Sequence, residues 1–531
     1  MDIPNIDRQS VTNPILPGFY PDPSICRVGI DYYLVTSSFA YFPGIPIFNS
    51  RDLVHWEQIG HVLDRPSQLD LDGVGFSEGI FAPTIRYHQG IFYVITTNIS
   101  KGGNFIVTAT DPAGPWSEPH WLKEAPGIDP SLFFDDDRVY YVGTRPVLEG
   151  EKYFGNWEIW LQEINSKTLT LKGKSFPPLW RGALKDAIWP EGPHIYKIKG
   201  IYYLMIAEGG TDYYHAVTIA RSSNILGPYE GNPANPILTH RNLGRSYPIV
   251  NTGHGDMIET QNREWWMVVL ASRPYGGYYR NLGRETFLVP VLWEDGWPIV
   301  SPRSGRVEYR FKGPNLPPAP IAKLNRRDHF EGNELAYVWN FIRTPRERFW
   351  SLTDRNSYLR LMLRAEKITD VGNPSFIGRR QQHINFTADT VLEFQPKNQA
   401  EAAGMVLLQN NRYHFRFEYT MQNQQTLCRL VQCVNGVNQE IATKPFFADR
   451  IYLKVVALRQ NYSFYIGSNE KTAEIVAENV DGRILSTDIA GGFVGAYIGI
   501  FASSNGEPSN NYADFDWFEY QEGSQFYAKL D

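Results

Sequence analysis

The chain has 531 residues, of which 14% are aromatic, with 45 glycines, 36 prolines and a formal net charge of −6 at pH 7. This length predicts two or more domains, and the aromatic, glycine and proline content favours turn-rich β-structure over a helical fold. The negative charge argues against a nucleic-acid partner, because no basic face is expected to neutralise phosphates. No run of about 18 apolar residues predicts a membrane span.

The cysteines and the opening residues bear on the expected compartment. Cys26, Cys428 and Cys433 are an odd number without metal-ligand spacing, so neither a disulfide framework nor a metal site is expected. The opening residues, MDIPNIDRQSVTNP, show no charged-then-apolar signal pattern. We therefore expect a cytoplasmic protein, although a signal peptide removed beforehand would leave the same start.

The first predicted element is a β-hairpin that follows Asp22. This aspartate stands between Pro21 and Pro23, and Gly29 marks the turn into the apolar run at 32–35. Prolines restrict their own backbone and that of the preceding residue, so we expect Asp22 to be held extended. A stiffly held acid at the mouth of a hairpin is either a turn former or a catalytic group, and one copy cannot distinguish the two.

The same pattern recurs along the first 300 residues. Each copy has a short alternating strand, a polar or glycine turn, and a second strand built on an aromatic pair. The copies occupy residues 19–38, 80–97, 128–144, 190–208 and 253–271. Repetition on this scale is typical of solenoids and propellers, and five four-stranded units over about 300 residues predict a five-bladed β-propeller.

The position just before the first strand of each copy carries a carboxyl group in three copies. These residues are Asp22, Asp129 and Glu191, whereas the second copy has Phe81 or Ala82 and the fifth has the turn at 254–256. Equivalent positions of propeller blades lie around one mouth of the central channel. Each acid alone would be read as a turn former, but the three together predict carboxyl groups directed into one small volume.

Three converging carboxyl groups are suited to glycoside hydrolysis. The inverting reaction needs two of them about 6.5–9.5 Å apart, with room for a water molecule. Glu191 has the longer side chain and apolar neighbours that favour a protonated carboxyl, so it is the candidate general acid. Asp22 is the candidate general base, and Asp129 is the candidate modulator that raises the donor's pKa and orients it.

The composition changes near residue 313, where a proline-rich stretch predicts a linker at 313–324. Residues 1–312 are then the propeller domain. Period-2 alternation separated by polar turns predicts a β-sandwich over 325–531, for example at 358–364, 413–419 and 451–456. The fold class expected is all-β.

Several motifs of this sequence are shared with one enzyme family. They are residues 13–14 (Asn-Pro), 18–24 (Gly-Phe-Tyr-Pro-Asp-Pro-Ser), 42–44 (Phe-Pro-Gly), 50–56 (Ser-Arg-Asp-Leu-Val-His-Trp), 81–83 (Phe-Ala-Pro), 128–131 (Ile-Asp-Pro-Ser), 191–194 (Glu-Gly-Pro-His), 207–211 (Ala-Glu-Gly-Gly-Thr) and 282–286 (Leu-Gly-Arg-Glu-Thr). With them the chain resembles glycoside hydrolase family 43, in its β-xylosidase/α-L-arabinofuranosidase branch. The resemblance implies a five-bladed propeller followed by a concanavalin-like jelly roll, inversion of configuration, and the three carboxyl roles above.

The resemblance also suggests substrate-binding residues. Arg284 is expected to contact substrate hydroxyls, with an ordinary pairing to Glu285 as the alternative. Phe42 and Phe81 lie in matched motifs and are expected to stack on sugar faces. Phe81 replaces the tryptophan usual in xylosidase-type relatives, and the Pro-Glu-Gly-Pro-His sequence around Glu191 is closer to arabinofuranosidase-like relatives.

His254 and Thr211 are weaker candidates for the substrate pocket. His254 is expected on the channel axis as a polar plug or a ligand, or else as a core histidine bonded to backbone. Thr211 is expected at the pocket rim or simply in a loop. One histidine cannot form a metal site, so no metal ligands are assigned and no cofactor is required, while a structural Ca²⁺ in the channel is left open from the wider family.

In the resembling family the sandwich can push a loop into the sugar pocket, and the candidate here is the loop at 502–506, with a purely structural sandwich as the alternative. A pocket closed in that way removes one terminal sugar at a time. The predicted function is therefore an exo-acting inverting glycosidase that releases terminal α-L-arabinofuranose, β-D-xylose or both from xylan-derived or arabinoxylan oligosaccharides.

Two other functions are weighed against this one. A retaining fructosidase-type propeller would carry different motifs around its acids, and a non-catalytic carbohydrate-binding propeller would leave the three acids unexplained. The sequence does not separate xylose from arabinofuranose. Beyond the oligosaccharide, neither a nucleic acid nor a membrane is expected as a partner, and a homo-oligomer is left open.

Overall fold

The structure is a computed structural model that describes residues 10–322 and 325–523. The first part forms five antiparallel sheets, each built from one continuous segment of chain. We name them blades I to V. Blade I comprises β2 (Ser24–Val28), β3 (Asp31–Val35), β5 (Gly44–Ser50) and β6 (Glu57–Leu63), and blade II comprises β7 (Thr84–His88), β8 (Ile91–Asn98), β9 (Gly103–Ala109) and β10 (His120–Trp121). Blade III comprises β11 (Ser131–Asp135), β12 (Arg138–Pro146), β13 (Trp157–Asn165) and β14 (Thr170–Lys172), and blade IV comprises β15 (Glu191–Ile198), β16 (Ile201–Glu208), β17 (Ala216–Ser222) and β18 (Glu230–Gly231), with β19 (Leu238–Thr239) paired to β17. Blade V comprises β20 (Val250–Glu259), β21 (Trp265–Ser272), β22 (Glu285–Glu294) and β23 (Trp297–Val300).

The innermost strands of the five blades enclose a central channel. Each of β2, β7, β11, β15 and β20 contacts the innermost strand of the next blade, and β20 contacts β2 to complete the ring. Apolar side chains fill the spaces between blades, as where Ile25 and Leu34 of blade I pack with Val268 and Leu288 of blade V. The predicted five-bladed propeller is confirmed, because each sequence copy supplies the first two strands of one blade.

A short strand pair lies outside the blades and joins the two ends of the propeller. The first strand, β1 (Ser10–Thr12), pairs antiparallel with β24 (Arg310–Lys312), placing Val11 opposite Phe311. No blade of the described chain mixes strands from both ends, since blade I begins at Ser24 and blade V ends at Val300. The β1–β24 pair therefore links the ends of the ring beside the blades.

The second part is a sandwich of two antiparallel sheets. The eight-stranded sheet comprises β25 (Arg327–Asp328), β27 (Trp350–Ser351), β28 (Leu359–Met362), β30 (Asn385–Glu393), β35 (Ile451–Leu458), β36 (Asn461–Gly467), β37 (Glu474–Asp481) and β39 (Tyr512–Glu522). The six-stranded sheet comprises β29 (Phe376–Arg380), β31 (Ala402–Asn410), β32 (Tyr413–Gln422), β33 (Gln425–Val434), β34 (Val437–Pro445) and β38 (Tyr497–Ser503). The helical segments are the α-helix α1 (Thr487–Ala490) and two 3₁₀ turns, Glu470–Thr472 and Gly482–Leu485. Alternating apolar residues of both sheets meet in the core, as predicted for a sandwich.

The two parts share a strand pair and a buried core. Strand β4 (Tyr41–Phe42) of the propeller pairs with β26 (Phe341–Ile342) from the sandwich side. Arg380, at the end of β29, is 2% exposed and its Nε donates to the carbonyl of Phe19 at 2.6 Å. The sandwich therefore packs directly on the propeller, close to the segment that carries Asp22.

The predicted domain boundaries at 312 and 325 stay a prediction. The blade strands end at Val300 and the sandwich strands begin at Arg327. Residues 323–324 of the predicted linker, and the ends at 1–9 and 524–531, lie outside the described residues. Over the described ranges, the helices are too short and too polar to cross a membrane. The three cysteines are buried free thiols.

Candidate active site

The three predicted carboxyl groups lie where the innermost strands of blades I, III and IV begin. Asp22 comes two residues before β2, Asp129 comes two residues before β11, and Glu191 is the first residue of β15. Asp22 is 5% exposed and Asp129 is 7% exposed, whereas Glu191 is partly exposed. The charge of Asp22 acts on both of the other carboxyls, which places the three in one electrostatic cluster.

The backbone at two of these acids differs from the sequence expectation. We expected the flanking prolines to hold Asp22 extended, but its φ is 54°, in the left-handed region. Asp129 has a φ of 52°. Aspartate is among the few non-glycine residues that tolerate this region, because its short polar side chain can hydrogen-bond locally. The backbone at Asp22 is therefore left-handed and not extended.

Asp22 is held by partners on either side of its carboxyl group. The Ser37 hydroxyl donates to Oδ2 at 2.6 Å, and Arg284 Nη1 donates to Oδ1 at 2.7 Å. The same Nη1 also donates to Thr211 Oγ1 at 3.0 Å. The structure thus brings together Asp22, Arg284 and Thr211, three of the predicted residues, and adds Ser37, which the sequence reasoning missed.

The environment of Glu191 favours its protonated form. Burial and then the negative charge of Asp22 raise the Glu191 pKa to about 8, against the opposing effect of Arg284. The pKa of Asp129 is also raised well above its usual value, by burial first and then by the charges of Glu191 and Asp22. Glu191 and Asp129 therefore repel each other when ionised, and the charge of Asp22 acts on both of them.

Blade III fixes the start of the strand that carries Glu191. The Thr144 hydroxyl donates to the carbonyl of Pro190, and the Ser131 hydroxyl donates to the carbonyl of Pro193 at 2.5 Å. These bonds bracket Glu191 and hold its backbone against blade III, the blade whose first strand follows Asp129. Hydroxyl donors to buried carbonyls satisfy backbone groups that β-pairing leaves open at a strand end.

His254 lies beside the carboxyl cluster, as expected for a residue on the channel axis. It is 5% exposed, and its Nδ1 is 4.0 Å from Asp129 Oδ2. A Cβ at Gly192 would lie 2.7 Å from the His254 ring, so glycine next to Glu191 makes room for the imidazole. Burial lowers the His254 pKa, with Arg284 adding to this effect and Asp22 opposing it. The imidazole is therefore neutral near pH 7.

An aromatic wall faces Arg284. Phe39 and Phe81 have ring centroids 5.2 Å apart, and Phe493 of the sandwich lies 6.2 Å from Phe39 and 6.4 Å from Phe81. The Arg284 guanidinium lies 5.4 Å from the Phe39 ring and 5.7 Å from the Phe493 ring. Phe81 is therefore brought to the site, together with Phe39 and the unpredicted Phe493.

Phe42, in contrast, lies in the core. It is 6% exposed, pairs through its backbone with Phe341, and belongs to a different apolar cluster from Phe39 and Phe81. Its position at the junction of propeller and sandwich gives it a packing role. The structure does not bring Phe42 to the aromatic wall.

The sandwich reaches the site through a different loop from the one expected. The expected loop at 502–506 lies within the sandwich, where Ser504 N donates to the carbonyl of Arg364 and Asn505 Nδ2 donates to the carbonyl of Ala400. The segment at 491–495, which we name the Phe493 loop, is the one that meets the propeller. Phe493 N donates to Ser77 Oγ at 2.8 Å. The flanking glycines of this loop were the sequence signal that could have found it.

The Phe493 loop is anchored by a charged contact at its base. Asp488 in α1 accepts hydrogen bonds from the backbone N, Nε and Nη2 of Arg280, at distances between 2.7 and 3.3 Å. Arg280 Nη1 also donates to Asp212 at 3.0 Å, next to Thr211. A bidentate arginine–carboxylate pair adds geometric specificity, so the loop is positioned relative to Arg284 and its neighbours.

A second aromatic pair lies beside Glu191. Trp189, two residues before the glutamate, is partly exposed, and Phe154 packs edge-on against it with ring centroids 5.0 Å apart. Phe154 itself is 78% exposed. Large exposed aromatic rings next to a site are surfaces on which a sugar can pack.

Within residues 10–322 and 325–523, no group of three or more His, Cys, Asp or Glu side chains is placed to hold a metal ion. The calcium ion that the wider family suggests for the channel is therefore not supported by a ligand set among these residues.

Family models match both parts of the chain. Residues 11–298 match the model for glycosyl hydrolases family 43, and residues 327–521 match that for the beta xylosidase C-terminal concanavalin A-like domain. A xylosidase/arabinosidase of Butyrivibrio fibrisolvens is 50% identical over 96% of this chain and 99% of its own.

Solved structures show the same similarity over the full length. A protein titled as the xyloglucan PUL GH43B of Bacteroides ovatus superposes with a TM-score of 0.91 at 40% identity, covering 97% of this chain and all of its own. A xylan beta-1,4-xylosidase of Bacillus halodurans superposes with a TM-score of 0.90 at 38% identity, covering 96% of this chain and all of its own. The catalytic-domain model spans more than half of the chain and the relatives match it end to end, so this protein belongs to glycosyl hydrolase family 43.

Proposed function

We propose that this protein is an exo-acting inverting glycosidase that releases a terminal pentose, α-L-arabinofuranose or β-D-xylose or both, from xylan-derived or arabinoxylan oligosaccharides. The observation that carries the proposal is the contrast between two neighbouring carboxyls. Burial and the charge of Asp22 raise the Glu191 pKa to about 8, whereas Asp22 itself faces the Arg284 guanidinium at 2.7 Å. One carboxyl is thus prepared to donate a proton and the other to accept one.

In the proposed reaction, Glu191 gives its proton to the glycosidic oxygen as the bond to the anomeric carbon breaks. Asp22 takes a proton from a water molecule that attacks the anomeric carbon from the opposite face, which inverts the configuration. Afterwards Glu191 recovers a proton from solvent and Asp22 releases one. Asp129, whose pKa is raised, is the orienting and modulating partner of this pair.

The aromatic wall supports an exo mode of action. Phe493 closes the side of the site formed by Phe39 and Phe81, and the apolar rings and the Arg284 guanidinium together suit the faces and hydroxyls of one sugar. A walled pocket accepts a chain end more readily than the middle of a polymer.

The choice of a pentose is supported by the relatives. One is named a xylosidase/arabinosidase, another a non-reducing end α-L-arabinofuranosidase of Bacteroides ovatus at 40% identity, and a third a xylan beta-1,4-xylosidase. These names favour hydrolysis over the alternative of a non-catalytic binding propeller.

The test is hydrolysis of 4-nitrophenyl β-D-xylopyranoside and 4-nitrophenyl α-L-arabinofuranoside by the wild type, Asp22→Ala and Glu191→Ala. Asp136→Ala is the matched control, because this blade III aspartate has a 90% exposed side chain. We expect cleavage of at least one substrate, loss of it in Asp22→Ala, and no change in the control.

The two acids are then distinguished by the leaving group. Glu191→Ala should retain more activity on the nitrophenyl glycosides than on xylobiose or arabinosyl oligosaccharides, because a good leaving group needs less protonation. NMR of the first product anomer tests the stereochemistry. A product that retains configuration, or two alanine variants with wild-type rates, would overturn the proposed mechanism.

A further inference from the structure

A buried ionic cluster fills the channel beside the carboxyl site and joins four blades. Asp256 of β20 is fully buried, and Arg86 Nη1 of β7 donates to its Oδ2 at 2.9 Å. Ser24 of β2 donates its hydroxyl to the same oxygen at 2.7 Å, and Tyr196 of β15 donates to Oδ1 at 2.7 Å. We call these residues, together with His194 of β15, the Arg86 cluster.

The donors around Asp256 fill its capacity to accept hydrogen bonds. Oδ2 accepts from Ser24, Arg86 and the backbone N of Ile25, the last at 3.1 Å, and Oδ1 accepts from Tyr196 and from Arg86 Nη2 at 3.4 Å. An ionised carboxylate offers about four lone-pair positions, so none is left for a metal ion. Burial alone would raise the Asp256 pKa, but the charge of Arg86 and these hydrogen bonds hold it well below its usual value.

Arg86 also determines which nitrogen of His194 carries the proton. Its Nη2 lies 2.8 Å from His194 Nδ1. A guanidinium can only donate, so Nδ1 accepts and the proton of the neutral ring is on Nε2. His194 is 2% exposed, and burial lowers its pKa to about 3 against the opposing charge of Asp256.

The Arg86 cluster is connected to the candidate catalytic groups through β15 and His254. His194 lies three residues after Glu191 on β15. A proton on His254 would oppose protonation of His194, which makes the two imidazoles electrostatic neighbours. His254 in turn lies 4.0 Å from Asp129 and against Gly192. These contacts connect Arg86 to the strand that carries Glu191 and, through the neighbouring His254, to Asp129.

We propose that Arg86 is the resident cation of the channel, because its guanidinium takes the place of a metal ion and balances the negative charge of Asp256. Arg86 is also a positioning residue for Glu191 and Asp129. The second half of this inference rests on the proposed glycosidase function, whereas the first half does not. It follows that this chain needs no channel metal, because its own guanidinium supplies the positive charge and the geometry of the donors.

The first experiment tests whether the channel binds a metal ion, and it does not depend on enzymatic activity. Calorimetric titration of the wild type with CaCl₂ should show no binding, and EDTA should leave the melting temperature unchanged. Calcium binding that is lost in Asp256→Asn would show that the channel takes a metal and would overturn the resident-cation proposal.

The second experiment tests positioning with Arg86→Ala, Arg86→Lys and the control Arg27→Ala. Arg27 lines the same cavity as Arg86, but in the described contacts its guanidinium donates only to the carbonyls of Glu259 and Gly29. We expect kcat of Arg86→Ala to fall on the order of 100-fold with a smaller change in KM, because a displaced acid pair costs rate more than binding. Added guanidinium should restore activity in part, Arg86→Lys should be intermediate, and Arg27→Ala should be unchanged.

The pH profile separates positioning from a purely structural role. The groups that face Arg86 are Asp256, His194, Tyr196 and Cys26, with His254 beyond them. Removing Arg86 leaves the charge of Asp256 to raise the pKa values of His194 and His254. The acid limb of kcat/KM in Arg86→Ala should therefore move to higher pH, and guanidinium should move it back.

The double variant Arg86→Met/Asp256→Asn covers the case in which Arg86→Ala does not fold. It leaves no unpaired charge in the channel, so we expect it to fold, yet to keep a reduced kcat because His194 has lost its donor. A double variant with wild-type kcat and pH profile would overturn the positioning role. A wild type inactive on every pentoside would overturn the proposed function instead, and the calcium titration would still decide the nature of the channel cation.

Discussion

The candidate general acid Glu191 lies in an environment that is unfavourable for its charge. Burial and the carboxylate of Asp22 raise its pKa from 4.5 to about 8. A general acid with this pKa is protonated at neutral pH, when a glutamate in water would be ionised. The same shift has consequences for both the rate and the stability of the protein.

The rate should therefore decline at mildly alkaline pH. We expect kcat/KM of the wild type to fall as pH rises through about 8, because Glu191 loses the proton that it must donate. Initial rates on a pentoside between pH 5 and 10 measure this limb, with melting temperatures at each pH as the control for unfolding. An alkaline limb centred near pH 6 would contradict the assignment.

Stability should change with pH in the same range. Between 4.5 and about 8 the folded state holds a proton on Glu191 that the unfolded chain releases, so this group's contribution to stability is complete below pH 4.5 and is lost as pH rises to about 8. Glu191→Gln cannot ionise and should raise the free energy of unfolding at pH 8 by about 1–3 kcal/mol relative to its effect at pH 5. Urea titrations of both proteins at the two pH values make the measurement. An equal effect at pH 5 and pH 8 would refute the shift.

The candidate acids could be predicted from sequence because they occupy the same position in three copies of the repeat. The left-handed backbone at Asp22 could not, since proline flanks constrain φ and ψ without revealing which turn the chain makes there. Neither could Ser37, a hydroxyl donor 15 residues away that becomes a partner only when β3 folds back along β2. Phe42 and Phe81 share the motif signal, and only three-dimensional packing separates a core ring from a pocket ring.

At the scale of elements, the Phe493 loop depends on close approach between backbones. A Cβ at Gly495 would lie 2.5 Å from the carbonyl of Leu282, and a Cβ at Gly492 would lie 2.2 Å from Ser77 Oγ. Glycines at these positions let the loop lie against the propeller next to Arg284. Alternation predicts which face of β38 is buried, but not which end of that strand points at the propeller. The loop before β38 was therefore missed and the one after it was chosen.

Removing the Phe493 ring should weaken substrate binding and catalysis together. Phe493→Ala loses the ring that lies 5.7 Å from the Arg284 guanidinium, and we expect kcat/KM to fall about 10-fold. Phe447→Ala is the matched control, because Phe447 is an 85% exposed phenylalanine of the same sandwich. Equal activity of the two variants would mean that the loop does not wall the sugar pocket.

The Phe154–Trp189 pair should affect only substrates with a sugar as leaving group. In the proposed mechanism Glu191 protonates the leaving oxygen, so we expect the leaving group on the Trp189 side. We expect Phe154→Ala to raise KM for xylobiose or arabinosyl oligosaccharides about 3- to 10-fold while nitrophenyl glycosides change little. Equal changes for both kinds of substrate would place Phe154 outside the leaving-group region.

At the scale of the whole molecule, propeller and sandwich share one apolar core. Phe19, Phe39 and Tyr41 of the propeller pack with Phe376, Tyr497 and Phe501 of the sandwich. Arg380 adds a hydrogen bond to Phe19 and another, at 3.0 Å, from Nη1 to Asn340. An extensive buried contact of this kind couples the unfolding of the two parts.

We therefore expect a single cooperative thermal transition for the full chain. Differential scanning calorimetry should give one peak whose calorimetric and van't Hoff enthalpies agree. Residues 1–324 alone should lack activity, since truncation removes the wall from Phe493 and also exposes the apolar core around Phe19 and Tyr41 that the sandwich covers. Two well-separated peaks, or a truncated propeller with full activity, would show that the sandwich is only an appendage.

The position of Phe493 in the chain also affects when an active site exists during biosynthesis. The carboxyl groups and Arg284 are encoded before residue 285, whereas the ring that walls the pocket arrives at position 493. At about 5–20 residues per second, the ribosome adds that ring on the order of ten seconds or more after Arg284. A nascent propeller thus carries its charges without a pocket, and the cell obtains a working hydrolase only after the sandwich has left the ribosome and docked.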